Sequence, residues 1–144
     1  MTEINFYVSQ HNILRARLML ACRLVDKARQ YGMHIHIHTD GYQTTRQMDE
    51  MLWIWSETSF IPHISDLSTD FSKAVQEPVT IASNYQPKDH CDYLINLSNQ
   101  TPDFFSRYLK MAEIIDQTES ILTAGRERYS FYKNSGYTLK HYQL

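Results

Sequence analysis

The sequence predicts an α/β sandwich in which helices cover a largely parallel sheet. Short apolar stretches rich in β-branched and aromatic residues alternate along the 144 residues with longer stretches of helical periodicity. This alternation favours parallel strands joined by crossover helices. A hydrophobic content of 42% and a charged content of 21% are typical of a folded chain. Because no repeat, linker or low-complexity tract interrupts the pattern, we predict a single domain over residues 1–144.

The N-terminal segment predicts a strand followed by a helix. Residues 4–9 ("INFYVS") are apolar, aromatic and β-branched, which favours a strand. In residues 11–31 apolar side chains recur at steps of four and three, which predicts a helix. Asn12 is the expected N-cap of this helix, and Gly32 follows it where a C-terminal glycine is typical.

A second strand and helix follow. Residues 33–39 ("MHIHIHT") alternate strictly between apolar and polar, which predicts a strand that ends at an Asp-Gly turn. Residues 42–55 predict a helix whose apolar stripe includes Trp55. Residues 56–66, which Pro62 interrupts, predict a loop.

The second half of the chain continues the alternation. Its predicted elements are strands at 78–83 and 92–98, a helix start within 101–110, a strand at 111–116, a helix at 117–135 and a strand or tail at 137–144.

Composition restricts the compartment and the partners. The longest apolar run, residues 18–22, is too short to span a membrane, and the N-terminus lacks a secretory pattern, so we expect a cytoplasmic protein. Cys22 and Cys91 are too few for a disulfide framework. Residues 40–119 carry thirteen acidic against five basic residues, which disfavours general nucleic-acid binding, including binding through the cations of the first helix.

The glycine pattern argues against a nucleotide site. Phosphate binding at the first strand–helix junction needs glycines that let backbone N–H groups approach the pyrophosphate. This junction reads "YVSQHNILR", and none of the four glycines of the chain forms such a motif. No local signature joins a nucleophile to a base either, so we expect no cofactor and no catalytic activity.

The "HIHIH" stretch allows one alternative function. His34, His36 and His38 would point to one face of the strand, where imidazoles can bind zinc in a small metal-dependent enzyme. Same-face neighbours on one strand are roughly 7 Å apart, which is long for ligands of one ion. We therefore favour a semi-exposed strand with polar residues on one face.

Two stretches resemble protein-docking surfaces. In the first, Trp53 falls off the apolar stripe of its helix, and Phe60 and Pro62 lie in the loop beyond it, so that an exposed aromatic patch and core packing are about equally expected. The second is residues 125–137 ("GRERYSFYKNSGY"). This stretch concentrates cationic and aromatic side chains, namely Arg126, Arg128, Tyr129 and Lys133.

Helical spacing assigns the second surface to one face. Arg126, Tyr129 and Lys133 follow at steps of three and four, and Gly136 is positioned to end the helix with a left-handed cap. A guanidinium, a phenol ring and an ammonium suit a short peptide that has a carboxylate and an aromatic side chain. The alternative is a solvated helix end whose cations interact with the helix dipole.

These motifs resemble the chi subunit of the bacterial DNA polymerase III holoenzyme. The stretches "MDEMLWIWSETSFIPH" and "GRERYSFYKNSGYTL" match two family patterns in the same order, and the resemblance covers essentially the whole chain. It implies a Rossmann-like three-layer fold without a nucleotide-binding loop. It also implies a non-catalytic role in DNA replication, in which chi bridges the psi subunit of the clamp-loader assembly to the acidic C-terminal tail of single-stranded DNA-binding protein (SSB).

The resemblance also implies site residues. Arg126 would hold the chain-end carboxylate of the SSB tail, Tyr129 would stack on the tail, and Gly136 would lie at the pocket edge. Trp53, Phe60 and Pro62 would face psi, or a helicase that competes with psi. In this chain Leu122 stands where well-known members carry a lysine that attracts the tail, and we expect Lys133 to compensate.

Overall fold

A seven-stranded parallel sheet forms the centre of the chain. The computed structural model describes residues 1–55, 61–68, 77–85 and 91–143. The strands run in the order β3-β4-β2-β5-β6-β1-β7, and all six pairings between neighbours are parallel. In chain order the elements are β1 (Glu3–Val8), α1 (Leu14–Gln30), β2 (Ile35–His38), α2 (Tyr42–Trp55), β3 (His63–Ser65), β4 (Val79–Ala82), β5 (Tyr93–Asn96), β6 (Lys110–Ile115), α3 (Glu119–Asn134) and β7 (Leu139–Gln143).

Two apolar clusters give the fold its three layers. Side chains of α1 and α2 pack with one face of the sheet, and side chains of α3 pack with the other. Within β6, Ala112 and Ile114 join the first cluster, whereas Met111 and Ile115 join the second, because successive strand residues point to opposite faces. The predicted α/β fold with a parallel sheet is therefore confirmed.

The ends of α1 and α3 show the same capping motif. Gly32 and Gly136 have φ angles of 71° and 86°, in the left-handed region that favours glycine. After α1, Met33 N donates to Ala28 O at 3.3 Å, and after α3, Tyr137 N donates to Tyr132 O at 3.1 Å. These bonds satisfy carbonyls that the helix leaves unpaired. The predicted C-terminal role of Gly32 is confirmed.

The predicted cap at Asn12 is wrong. Helix α1 begins at Leu14, Ile13 occupies the N-cap position, and no side chain caps the helix. Asn12 Oδ1 instead accepts the backbone N–H of Gln117 at 2.8 Å. This bond ties the loop after β6 to the start of α1, a long-range contact that local sequence does not reveal.

Two further predictions are corrected. The segment predicted as a loop over 56–66 contains the strand β3, which pairs His63 with Val79 at the sheet edge. Its three residues are too few to show a periodicity. The helix start predicted within 101–110 is a single 3-10 turn at Phe105–Arg107. The buried Thr2 hydroxyl donates to Tyr108 O at 2.6 Å just after this turn, which directs the chain into β6.

The last segment of the chain is a strand at the sheet edge. β7 pairs in parallel with β1, with His141 beside Phe6 and Gln143 beside Val8. The strand alternative for residues 137–144 is therefore the correct one. Among the described helices, none combines the length and the apolar character that a membrane span requires.

Candidate docking sites

A groove lies between helix α3 and the edge of the sheet formed by β1 and β7. It encloses about 430 Å³. Its floor is apolar, and Phe6 and Val8 of β1 and Ile115 of β6 contribute to it while exposing 4% or less of their surface. Helix α3 and strand β7 form its two walls. The wall residues are Leu122, Gly125, Arg126, Tyr129, His141 and Gln143.

Gly125 allows α3 to approach the sheet closely. A Cβ atom at this position would lie 3.0 Å from Ile115 Cδ1 and 3.1 Å from Ile115 Cγ2, which is closer than ordinary packing allows. Any larger residue would push the helix away from β6 or force Ile115 to move. The small residue therefore sets the depth of the groove next to Arg126.

Arg126 and Tyr129 provide the chemistry of the groove. Arg126 is exposed, so its guanidinium is accessible to an anion. Tyr129 is half-buried, and its ring contacts that of Phe6 edge to face with centroids 5.2 Å apart. An arginine beside an apolar floor can bind a carboxylate through two N–H groups while an attached aromatic side chain packs below.

Lys133 and Gly136 lie beyond the groove. Both are exposed on or just after the last turn of α3, and neither is among the residues that line the groove. Gly136 ends the helix, which lets the chain turn back into β7. Of the four predicted tail-binding residues, the structure thus brings Arg126 and Tyr129 together in one groove.

Arg128, by contrast, belongs to the interior. It exposes 4% of its surface, and its Nε donates to Glu113 Oε2 at 3.0 Å. The hydroxyl of Tyr132 donates to the same oxygen at 2.6 Å, and Asn96 Nδ2 donates to Glu113 Oε1 at 3.0 Å. Helical spacing leaves Arg128 off the face that carries Arg126, Tyr129 and Lys133, but its burial could not be predicted because the carboxylate beneath it belongs to β6.

The central histidine of β2, His36, is also part of the core. β2 lies between β4 and β5, and His36 exposes 1% of its surface. His36 Nδ1 lies 2.7 Å from Thr80 Oγ1, and its ring packs on Tyr85 and Phe104. Burial lowers the pKa of His36 to about 3, so the imidazole is neutral at pH 7. The predicted semi-exposed strand is therefore wrong for His36, since a central parallel strand is covered on both faces, whereas His34 and His38 near its ends are half-buried.

The structure does not support the metal alternative for the "HIHIH" stretch. Within the ranges that the structure describes, no group of three His, Cys, Asp or Glu side chains is arranged to hold a metal ion. The rings of His36 and His38 are 6.5 Å apart, and both pack against the aromatic ring of Phe104.

The predicted surface around Trp53 lies at the other edge of the sheet. Trp53 exposes 52% of its surface, and its ring packs against that of His63 with centroids 4.5 Å apart. His63 Nε2 lies 3.3 Å from Asp49 Oδ1, which fixes the imidazole under the indole. Pro62 is half-buried beside this pair. Of the two alternatives left open for Trp53, the structure shows exposure, and Phe60 lies outside the described residues.

The sequence comparison decides the family. The family model for "DNA polymerase III chi subunit, HolC" matches residues 1–140. The chain belongs to the DNA polymerase III chi subunit family. A relative from Pseudomonas aeruginosa, named DNA polymerase III subunit chi, is 33% identical over 144 residues, which cover all of this chain and 98% of the relative.

More distant relatives carry the same name. The chi subunit of Haemophilus influenzae is 27% identical and that of Escherichia coli K12 is 25% identical, with 93% and 96% of this chain covered and 92% and 96% of the relatives. A solved structure, that of T4 UvsW, superposes with a TM-score of 0.70 at 8% identity, covering 99% of this chain and 42% of that chain. This last likeness concerns the fold alone. Chi-family membership makes the chain a DNA polymerase III subunit, a class of protein that acts in DNA replication within a larger assembly.

The two polar groove residues on β7 were not predicted from the sequence. His141 and Gln143 lie on the segment left open as a strand or tail. Alternation along residues 139–143 is the signal that would have found them, because Leu139, His141 and Gln143 must share one face once the segment is a strand.

Proposed function

We propose that this chi-family chain is a non-catalytic adaptor that binds the acidic C-terminal tail of SSB in the groove between α3 and β7. The observation that supports this proposal is the position of Arg126 at the margin of an apolar floor. The guanidinium would bind the chain-end carboxylate of the tail. The aromatic side chain of the same terminal residue would pack on the floor formed by Phe6, Val8 and Ile115. The acidic residues that precede it would meet a helix end that carries cations.

Lys133 and Gly136 have indirect roles in this proposal. Lys133 is exposed one turn beyond Tyr129, where a cation attracts the acidic part of the tail and speeds encounter. Gly136 caps α3 and turns the chain toward β7, so it shapes the wall of the groove. Affinity is therefore expected to fall as ionic strength rises.

The Trp53 surface is proposed as the contact for the psi subunit, or for a helicase that competes with psi. Trp53 is half-exposed on the helical layer opposite α3, and His63 beneath it belongs to β3, at one edge of the sheet. The groove lies at the other edge, next to β7. Six strand-to-strand steps separate the two edges, which is roughly 30 Å. Two partners held at this distance can bind together, which is the geometry that a bridging subunit requires.

The proposal is tested by titrating a labelled peptide with several aspartates and a C-terminal phenylalanine into wild type and Arg126→Ala. Losing a charged hydrogen-bonded partner of a carboxylate is expected to weaken binding at least about tenfold. Arg46→Ala removes an exposed cation from α2 and serves as the matched control. The assigned groove is wrong if Arg126→Ala binds the peptide as tightly as wild type and the Arg46 variant do.

A further inference from the structure

The groove contains a second group that can carry positive charge. His141 of β7 lines the same groove as Arg126 and is exposed. It is the neighbour of Phe6 across the parallel pairing of β1 and β7, and Phe6 in turn contacts the ring of Tyr129. Neighbouring strands are about 5 Å apart, so His141 lies beside the floor on which Tyr129 rests.

The surroundings of His141 favour an anion between it and Arg126. The described groove residues include no acidic side chain, and Arg126 and Tyr129 of α3 are the other titratable groups among them. Phe6 and Val8 of β1 contribute only apolar surface. On β7 itself Lys140 belongs to the opposite face, where its Nζ lies 3.8 Å from Glu3 Oε1. Protonated His141 would therefore face a cation and no carboxylate.

The polar contacts of His141 are made with side chains that can reorient. Its Nε2 lies 3.4 Å from Gln143 Nε2, and Gln143 Oε1 accepts a hydrogen bond from Gln10 Nε2 at 3.0 Å. All three side chains are exposed, so the two amides can reorient when the imidazole gains a proton. Histidine is the side chain whose charge ordinarily changes between about pH 5 and 8.

We propose that His141 shares the chain-end carboxylate of a bound acidic peptide with Arg126, so that the groove binds such a peptide more tightly as the pH falls. This inference rests on the proposed tail-binding function and adds a specificity-determining residue to it. It also offers a substitute for the lysine that Leu122 replaces. The α3 wall lacks a lysine at that position, and β7 supplies a pH-dependent cation from the opposite wall.

The charges of the groups involved determine the direction in which peptide affinity changes with pH. The carboxylates of the peptide stay ionised above about pH 5, and arginine stays protonated throughout this range. Lowering the pH from about 8 to about 6 therefore adds charge mainly to imidazoles. A second partly exposed cation near a carboxylate is expected to raise affinity about threefold to fivefold.

The test is a fluorescence titration of a peptide with three aspartates and a C-terminal phenylalanine at about pH 8 and about pH 6. Wild type is expected to gain affinity about threefold to fivefold at the lower pH, and His141→Gln is expected to gain none. His141→Lys should bind at pH 8 as wild type binds at pH 6. Lys140→Gln, a neighbouring cation on the opposite face of β7, should keep the wild-type response. The same peptide with a C-terminal amide should lose the response.

Two results would overturn the inference in different ways. In one case wild type binds the free-acid peptide, but its affinity does not change with pH or His141→Gln shows the same change. The tail-binding function then stands, and the proposed role of His141 is wrong. If wild type binds the peptide at neither pH, the tail-binding function itself fails, and the role of His141 fails with it.

Discussion

The interior and the groove of this chain both contain arginine and histidine, but in different environments and with different expected roles. Arg128 and Arg126 are two residues apart on α3, but Arg128 is paired with buried Glu113 and Arg126 is exposed at the groove. His36 and His141 form a similar pair, one neutral in the sheet core and one open to solvent. The role of each arginine depends on whether the neighbouring strand places a buried carboxylate beside it. Interior substitutions should therefore change stability, and groove substitutions should change binding.

The largest effect is expected for Arg128→Ala. Removing the guanidinium leaves the Glu113 carboxylate buried with neutral donors only, which should lower the free energy of unfolding by about 3–5 kcal/mol. Arg126→Ala on the same helix should change it by no more than about 0.5 kcal/mol. Urea unfolding of both variants checks the contrast, and equal stabilities would refute the division between the two arginines.

Buried His36 should make the chain less stable in acid. The folded chain keeps His36 neutral because burial lowers its pKa from 6.5 to about 3, so the unfolded chain binds more protons between these values. Stability from His36 is therefore complete above about pH 6.5 and is lost as the pH falls toward 3. About 2 kcal/mol should be lost between pH 7.5 and pH 5.

His36→Gln is the variant that isolates this loss. Its stability should depend less on pH than that of wild type, by about 2 kcal/mol over the same window. Comparing the two chains is necessary because His63 acts in the opposite sense. Burial lowers the pKa of His63, but its interactions with Asp49 and Ile61 together outweigh burial and raise this pKa. His11→Gln, an exposed histidine, is the control. Parallel pH profiles for wild type and His36→Gln would show that His36 does titrate in the folded chain.

Gly125→Ala tests the position where the interior and the groove meet. The added methyl group would overlap Ile115, which should cost about 1–2 kcal/mol despite the better helix propensity of alanine. Ile115→Val removes the Cδ1 atom of the closest contact and should recover part of the loss in the double variant. Gly41→Ala, where a Cβ meets nothing within 4 Å, should be tolerated. Thermal unfolding compares all four variants with wild type, and a Gly125→Ala chain as stable as wild type would argue against the close helix–sheet approach.

The smallest effect is expected for Leu122→Lys. Leu122 lines the α3 wall of the groove, so a lysine there adds a cation near the bound tail and should raise affinity about threefold at low salt. Thr123→Lys adds the same charge at the next residue, which does not line the groove, and should raise affinity less. Equal gains for both variants would point to general attraction rather than to contact within the groove.

Local patterns predicted much of the fold. The alternation of strands and helices gave the parallel sheet, and the helical spacing of residues 117–135 brought Arg126 and Tyr129 to one face. Non-local contacts account for the failures. Whether Arg128 is buried depends on Glu113 of β6, and whether His36 is buried depends on the strands on either side of β2. His141 entered the groove only because β7 pairs with β1, at the far end of the chain.

We propose the groove between α3 and β7 as the receptor for the chain-end carboxylate of an acidic tail. Amide chemical shifts of the isotope-labelled chain during titration with the free-acid peptide test it most directly. We expect shifts concentrated at Arg126, Tyr129 and His141, with none at Trp53 and little response to the C-terminal amide peptide. Shifts centred on Trp53, or equal responses to the two peptides, would contradict it.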